Sequence, residues 1–582
     1  MNRREFIDLL SKASITASLA GCTNLRDFNY SVPAFGQTRL IHITDTHAQL
    51  LPVHFREPNV NLGIGSARGK APHRVGTNLL DALTNPSARD AHAYTYLDFT
   101  EAAHQFGKVG GFAYLQTLIT SLRGEVAGQA LLLDGGDTWQ GSGTALWTKG
   151  RDMVDACNLL GVDVMTGHWE FTYQDKQMLA NASRFKGDFV AQNVKATEDA
   201  LFEGTQVFDE DSGHVFPPYT IKTVNGKRIA VIGQAFPYTP IANPQRFIPD
   251  WTFGIQEQDL ADLIEQIQAD ESPDAIVLLS HNGMDVDLKL ASRVSGIDFI
   301  LGGHTHDGVP VPVVVNNPGG KTLVTNAGSN GKFVGVLDIA FGVDGVSGYQ
   351  YRLLPVFANL IDPDPTMQAH INNIRAPYLP KLEEPLAVAG SLLYRRGNFN
   401  GTFDQVICDA LTQQLDAEIS LSPGFRWGTS VLPGQTITME RVLDQTAMTY
   451  PETYVREMTG EQLKFILESV CDNLFAPDPY YQQGGDMVRV GGLKFSCSPK
   501  ASMGNRIGDL TLANGKPFSA SASYKVAGWA TVGSQSPGPD VADVVADYLR
   551  DKQTITIDTP NEPVLKGVAT NPGVADYKAN LL

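Results

Sequence analysis

Cysteine is scarce in this chain, five in 582 residues, and none of the four past the N-terminal leader has a metal-type spacing such as CxxC. A thiolate-built metal site is therefore not the source of its chemistry. Basic charge is also short: 45 Lys and Arg against 63 Asp and Glu leave a net charge of −18. This argues against a sequence-independent grip on nucleic acid, which needs Lys and Arg to displace counterions. A convincing membrane span is missing too, because the apolar stretch near the N-terminus falls short of the about 20 residues needed. On so acidic a chain, an anionic substrate would call for locally positive charge, supplied by metal ions or arginine.

The N-terminus reads MNRREFIDLLSKASITASLAGC: paired Arg3 and Arg4, then Phe6, a short weakly apolar run and small residues ending at Cys22. This pattern predicts a twin-arginine export leader over residues 1–30 and a periplasmic destination. Leu19-Ala-Gly-Cys22 is similar to a bacterial lipoprotein cleavage box, so Cys22 is either a lipid anchor or discarded with the leader. In an oxidising compartment Cys471 and Cys497 could bridge; two buried free thiols fit the sequence equally well.

With 42% hydrophobic residues the chain is long enough for more than one core, since single cores stop growing near about 250–300 residues. From residue 38 to about 342, short β-branched runs (RLIHIT, ALLLD, RIAVIG, DAIVLLS, DFILGG) alternate with helical patterns. The runs are near-continuously apolar, as strands covered on both faces should be. EQDLADLIEQIQAD shows the helical counterpart, with Leu260, Leu263, Ile264 and Ile267 on one face. The expected organisation is an α/β domain over 36–358, interrupted by a Gly-, Pro- and Arg-rich excursion over 52–109. A linker helix at 359–390, a second domain over 391–560 that mixes helices and short strands, and a surface tail over 561–582 follow.

In open α/β sheets ligands gather beyond the carboxyl ends of strands. Five apolar runs here end in polar residues of one kind: Thr44-Asp45-Thr46-His47, Gly135-Gly136-Asp137, Gly167-His168-Trp169-Glu170, Ser280-His281-Asn282-Gly283 and Gly303-His304-Thr305-His306. In an extended backbone i and i+2 point to one side, which pairs Asp45 with His47 and His304 with His306. The glycines before Asp137, His168 and His304 allow the tight turns that bring strand ends together. The result is seven N and O donors, using five of the chain's twelve histidines. Seven is too many for one tetrahedral ion but suits two ions sharing a carboxylate, with positions open for water and substrate. Mixed imidazole and carboxylate donors favour Mn, Fe or Zn over Ca or Mg. The other seven histidines (His42, His54, His73, His92, His104, His214, His370) are read as ordinary core or surface residues.

The order D-x-H, GGD, a GNHE-like motif, H-x-G and GGHxH resembles the calcineurin-like metallophosphoesterases, in particular the secreted 5′-nucleotidase family, over roughly residues 38–560. The resemblance implies a four-layer α/β sandwich followed by a smaller α+β C-terminal domain. It further implies one metal on Asp45, His47, Asp137 and His306, a second on Asp137, His168, His281 and His304, and Asp137 as the bridge. Ordinary nucleotidases read GNHEFD at the third motif, with Asn as ligand and a His/Asp pair that steadies the leaving group. This chain has His168 in the ligand position and Trp169 and Thr172 in place of the pair. Base recognition is eroded as well: Tyr450 in TYPET is the remaining candidate platform, and no GGDG follows Val526-Ala-Gly-Trp529.

These departures, together with FREPNVNLGIGS, LLYRRGNFNGTFDQVICDAL and LSPGFRWG, resemble the SoxB-type thiosulfohydrolases of bacterial sulfur oxidation. That resemblance implies a periplasmic enzyme with two Mn ions that hydrolyses sulfate from a cysteine S-thiosulfonate on the SoxYZ carrier protein. A hydroxide held between the metals would be the nucleophile, with no side-chain base. Arg426 stands where nucleotidases bind the phosphate end of the substrate, and its fork matches a sulfonate. Arg395 and Arg396 are weaker candidates for lining the cleft. The alternative is a 5′-nucleotidase-like phosphoesterase that tolerates loss of the His/Asp pair.

Overall fold

A computed structural model of the chain describes residues 29–573 apart from 58, 344, 534, 569 and 570. The twin-arginine motif, Cys22 and nearly all of the leader lie outside the described residues, as does the end of the tail. No helix among the described residues is long and apolar enough to cross a membrane.

Two six-stranded sheets form the first domain. One contains β1 (Thr38–Ile43), β2 (Ala130–Asp134), β3 (Val164–Met165) and β4 (Asp188–Phe189). The other contains β5 (Tyr219–Val224), β6 (Lys227–Gln234), β7 (Ala275–Ser280), β8 (Phe299–Gly302), β9 (Val313–Asn317) and β10 (Gly320–Asn326). The long hairpin β11 (Phe333–Gly342) and β12 (Gly345–Pro355) returns to the first sheet. The strand orders are β12-β11-β1-β2-β3-β4 and β9-β10-β8-β7-β6-β5. β1 to β4 run parallel, as do β6, β7, β8 and β10, so their carboxyl ends lie at one edge of each sheet.

The apolar runs are continuous because each strand faces two cores. Leu40, Leu131 and Leu133 point between the sheets, where they pack on Val231, Val277, Leu279 and Leu301. Their neighbours Ile41, Ile43 and Leu132 point outward onto Leu115, Leu118 and Ile119 of the helix Phe112–Gly124. The outer face of the second sheet is covered likewise by Leu260, Ile264 and Ile267 of the helix Glu257–Glu271. Leu263, expected on that stripe, is only partly buried there. Helix, sheet, sheet, helix is the four-layer arrangement that the family resemblance implied.

The excursion over 52–109 leaves and re-enters at a bridge between Val53 and Val109, and His54 bridges to Ser430 of the second domain. Within the 359–390 connector, the helix Pro365–Arg375 places Met367 and Ile371 in the core of the first domain. The strand Pro385–Ala389 already pairs with Thr436–Thr438 of the second. The second domain is α+β: a four-stranded sheet of Thr453–Thr459, Ser523–Trp529, Ile419–Ser422 and Arg489–Gly491 packs with the helices Thr402–Gln414, Gly460–Phe475 and Val541–Lys552. Cys157, Cys408, Cys471 and Cys497 are all buried, and no bond joins any two of them in this structure.

Candidate metal centre and cleft

The carboxyl ends of β1, β2, β3, β7 and β8 deliver all seven expected donors to one buried volume. His47 Nε2 lies 3.0 Å from His306 Nε2 and 3.8 Å from Asp137 Oδ2. His306 Nε2 is 3.2 Å from Asp45 Oδ1, and His281 Nε2 is 3.2 Å from Asp137 Oδ2 and 3.6 Å from Asp45 Oδ1. Two groups have ligand atoms mutually within 4.8 Å: Asp45, His47, Asp137 and His306, and Asp137, His168 and His304. Asp137 belongs to both. His281 reaches Asp137 and Asp45 from the side, so of the two expected sets the first converges as a whole and the second converges without it.

Backbone geometry shows what this convergence requires. Asp45 (φ 51°), His47 (46°), Asp137 (58°), His304 (70°) and His306 (60°) are all left-handed. For a non-glycine residue this conformation costs roughly 1–2 kcal/mol. Of the three loops that carry these five residues, the first two are joined by main-chain bonds, Asp45 N–H to Gly136 O and His47 N–H to Asp137 O (both 2.8 Å), and the third is tied to them by the His304 N–H on the Asp45 carboxylate. Gly136 (φ 94°) has to pass so close to Gly167 that an added Cβ would stand 3.0 Å from its Cα.

Side chains around the donors fix their orientation. His281 Nδ1 is 2.6 Å from the Gly135 carbonyl, which sets it as the protonated nitrogen and leaves Nε2 facing Asp137. Thr44 donates to Asp45, and the His304 N–H lies 3.1 Å from both Asp45 carboxylate oxygens. Glu170 carries the heaviest load: its carboxylate accepts the N–H groups of Asp137, Thr138, Trp139 and His168 at 2.7–3.3 Å. Sequence reasoning quoted Glu170 within a motif and missed this role; the acidic residue directly after a ligand loop was the available signal. Glu170→Gln sets an amide NH₂ against backbone donors and is expected to weaken metal affinity by about 10–100-fold, measured by calorimetric titration of the metal-free protein.

The electrostatics also fit cations. Burial first, then the neighbouring positive groups, holds His47, His168 and His304 well below the usual histidine value. Burial pushes Asp137 up to about 7, with Asp45 and Glu170 adding to the rise. Burial opposes charge on His281, but Asp137 and Asp45 outweigh it and lift His281 to about 10. Burial likewise opposes ionisation of Asp45, yet His281, His306 and His47 hold it well below the carboxylate range. Nε2 of His304 and Nδ1 of His168 and His306 are buried without a hydrogen-bond partner. Two imidazole nitrogens about 3 Å apart are the spacing of neighbouring ligands on one ion at metal–nitrogen distances near 2.1 Å. The donor set therefore fits two borderline-soft divalent ions.

Beside the cluster lies a cleft of about 280 Å³ between the two domains. Its aromatic wall is Trp169, Phe236, Phe425 and Trp427. Phe425 stacks on Trp427 at 4.2 Å, Trp169 stands edge-on to both, and Trp427 reaches His47 at 5.7 Å. Arg426 is the one Lys or Arg among the lining residues. Its guanidinium is aimed by Asp486 (3.3 Å) and the Gly485 carbonyl (3.0 Å). Arg395 and Arg396 lie behind it and are buried: Arg395 pairs with Asp404, and Arg396 with Asp486 at 3.7 Å and with Asn61. Arg396, which also donates to the Thr305 carbonyl, joins the two domains and the excursion, while Arg395 bonds within the second domain to Asp404 and the Gln445 carbonyl; neither lines the cleft.

Tyr450 does not line the cleft. It was expected as a substrate platform, but it is 2% exposed, packs edge-on to Phe247 and donates its hydroxyl to the Ala242 carbonyl. It closes the domain interface behind the cleft, and the cleft's platforms come from the SPGFRWG loop instead. That loop carried the signal, two aromatics flanking Arg426, and only the arginine was read. Of the histidines left as ordinary, His92 stacks between Phe99 and Phe106 and His73 pairs with Asp285 at 2.8 Å.

The four-layer fold, the Asp/His cluster and the two-domain cleft define a hydrolase of the metallophosphoesterase superfamily. Residues 390–541 match the family model of the 5′-nucleotidase C-terminal domain. The structure superposes on a SoxB sulfate thiohydrolase from Thermus thermophilus with a TM-score of 0.86 and 33% identity, covering 93% of this chain and 98% of that one. The chain belongs to that SoxB family within the 5′-nucleotidase superfamily. A 5′-nucleotidase precursor, also from Thermus thermophilus, shares the fold at a TM-score of 0.71 and 22% identity, over 92% of this chain and 100% of that one. Among curated relatives, the trifunctional nucleotide phosphoesterase of Bacillus subtilis is 27% identical over 67% of this chain and 28% of its own length. The 5′-nucleotidase of Rattus norvegicus is 28% identical over 50% of this chain and 52% of its own. The chain thus spans about half or less of the length of these curated relatives.

Proposed function

We propose that this protein is a thiosulfohydrolase that removes the terminal sulfone, as sulfate, from a cysteine S-thiosulfonate on a SoxYZ-type carrier, using two manganese ions in the periplasm. The observation that carries this reading is the surroundings of His168. Where a phosphomonoesterase of this family keeps its His/Asp pair, Trp169 joins the apolar box, and Thr172 is buried with its hydroxyl 2.6 Å from Thr449 Oγ1. Neither position presents a proton donor to a leaving group. Proton donation or charge stabilisation at that position is worth roughly 10²–10⁴-fold, so its loss suits a leaving group that needs no help. A sulfur anion is such a group, being far less basic than an alkoxide.

When bound, the two ions would supply Lewis acidity and lower the pKa of a water molecule in the cluster. Asp45, His47, Asp137, His168, His281, His304 and His306 would hold them. Arg426, kept in place by Asp486, binds the sulfonate oxygens through its remaining N–H groups. The aromatic wall excludes bulk water, strengthening those charge interactions, and gives the sulfur end of the substrate a polarisable surface. The curated 5′-nucleotidase relatives favour the competing phosphoesterase reading. Metal-loaded protein given thiosulfonate-bearing carrier and, separately, AMP decides between them. Sulfate from the first without phosphate from the second is expected, whereas phosphate release without sulfate returns the chain to the nucleotidases.

A further inference from the structure

Cys471 and Cys497 stand apart from everything used above. Cys471 lies on the helix Gly460–Phe475 and Cys497 ends the strand Leu493–Cys497, 26 residues further on. Their Sγ atoms are 3.2 Å apart, both residues are fully buried, and each sulfur has the other as its polar neighbour. The two elements are already tightly docked. Glu468 accepts the N–H groups of Gly504, Arg506 and Ile507. Arg506 caps the end of the helix by donating to the carbonyls of Cys471 and Phe475. A bond between the sulfurs therefore needs a closing movement of little more than about 1 Å, from 3.2 Å to the roughly 2.03–2.05 Å of a disulfide, between parts that do not otherwise have to move. The same helix supplies Val470 and Asn473 to the cleft beside the metal cluster, and Leu474 and Phe475 to the cavities that adjoin it.

We propose that Cys471 and Cys497 form a disulfide that staples this helix, and with it one wall of the cleft, to the strand Leu493–Cys497. The chemistry is thiol–disulfide exchange with a disulfide-bearing oxidant. One thiolate attacks the oxidant's disulfide, the second displaces the resulting mixed disulfide, and the oxidant leaves as two thiols that carry away the two electrons and two protons. Cys157 and Cys408 take no part, because each is buried separately in a different core. The bridge closes a loop of about 27 residues and holds the wall that carries Asn473 in one position.

The test uses the full chain, incubated with oxidised glutathione during refolding or export, then unfolded in denaturant with N-ethylmaleimide and weighed intact. Without reductant the count of alkylated thiols should be two lower than after reduction, and peptide mapping should place the missing pair at Cys471 and Cys497. An equal count with and without reductant, or a bridge that includes Cys157 or Cys408, overturns the proposal. As a second readout, reduction of the wild type should lower Tm by about 5–10 °C, while a Cys471→Ser/Cys497→Ser variant should show no response to reductant. A wild type whose Tm is equally indifferent to reductant contradicts the staple. Neither readout depends on turnover, so the result stands whichever substrate the site accepts.

Discussion

Asp137→Asn is expected to abolish turnover, with a fall in kcat of at least about 10³-fold, and to reduce bound metal from two ions per chain to one or none. Asp137 is the single residue shared by both donor groups. It is buried, lies 3.2 Å from His281, and accepts the N–H of Trp169 at 2.7 Å. An amide keeps its shape and some of its hydrogen bonding but removes the one negative charge common to both sites. The fold should survive, since the carboxylate is poorly stabilised where it stands: burial already pushes its pKa up to about 7. Metal analysis of the purified variant, run beside a circular dichroism spectrum, separates loss of the centre from loss of the protein. Two ions and undiminished activity in Asp137→Asn would remove Asp137 from its bridging role.

Chelation is the second large effect. A ligand that binds only the folded state at 100 times its Kd stabilises by about 2.7 kcal/mol, and two such ions should raise Tm by on the order of 10 °C. Removing them should lower Tm by that amount, and manganese should restore it. The pH dependence has a definite sign. In the metal-free site His281 is lifted from 6.5 to about 10 by Asp137 and Asp45. Its folded value lies above its unfolded value, so its charge contributes stability that is complete below about 6.5 and lost as pH rises through about 10. Metal binding requires that proton, and part of the one on Asp137 below about 7, to leave. Apparent metal affinity should therefore increase with pH across this range, with protons released on loading; calorimetry in buffers of different ionisation enthalpy reads the number directly. Affinity independent of pH would contradict the electrostatics described for the cluster.

How much of this was legible in the sequence follows from the range of each interaction. Strands covered on both faces write themselves as apolar runs, and ligands at their ends write themselves as His and Asp after those runs. Asp45, His47, Asp137, His168, His281, His304 and His306 were accordingly found without knowing how the sheets pair. What stayed hidden depends on partners distant in sequence or on backbone atoms. The Gly135 carbonyl that orients His281 has no side chain to announce it. Glu170 works through four backbone N–H groups whose positions follow from the loop conformation. Tyr450 and the pair Phe425 and Trp427 are all aromatics near a domain boundary. Which of them faces the cleft is decided by how the two domains meet: Tyr450 lies against Ala242 and Phe247 while the SPGFRWG loop crosses over the metal cluster. The connector shows the same limit, since its helix packs into the first core through Met367 and Ile371 although the chain there reads as a linker.

Central to the function proposed above is a bond whose leaving group departs without a proton donor, because Trp169 and Thr172 offer none. The most direct measurement is the dependence of kcat/KM on leaving-group acidity, taken over a series of organic S-thiosulfonates (R–S–S–SO3−) whose departing persulfides differ in pKa. A steep fall in rate is expected as the leaving persulfide becomes more basic, unchanged when Trp169 is replaced by Phe. A rate that stays level across the series would mean that a side chain protonates the departing sulfur, and would contradict the reading of this cleft.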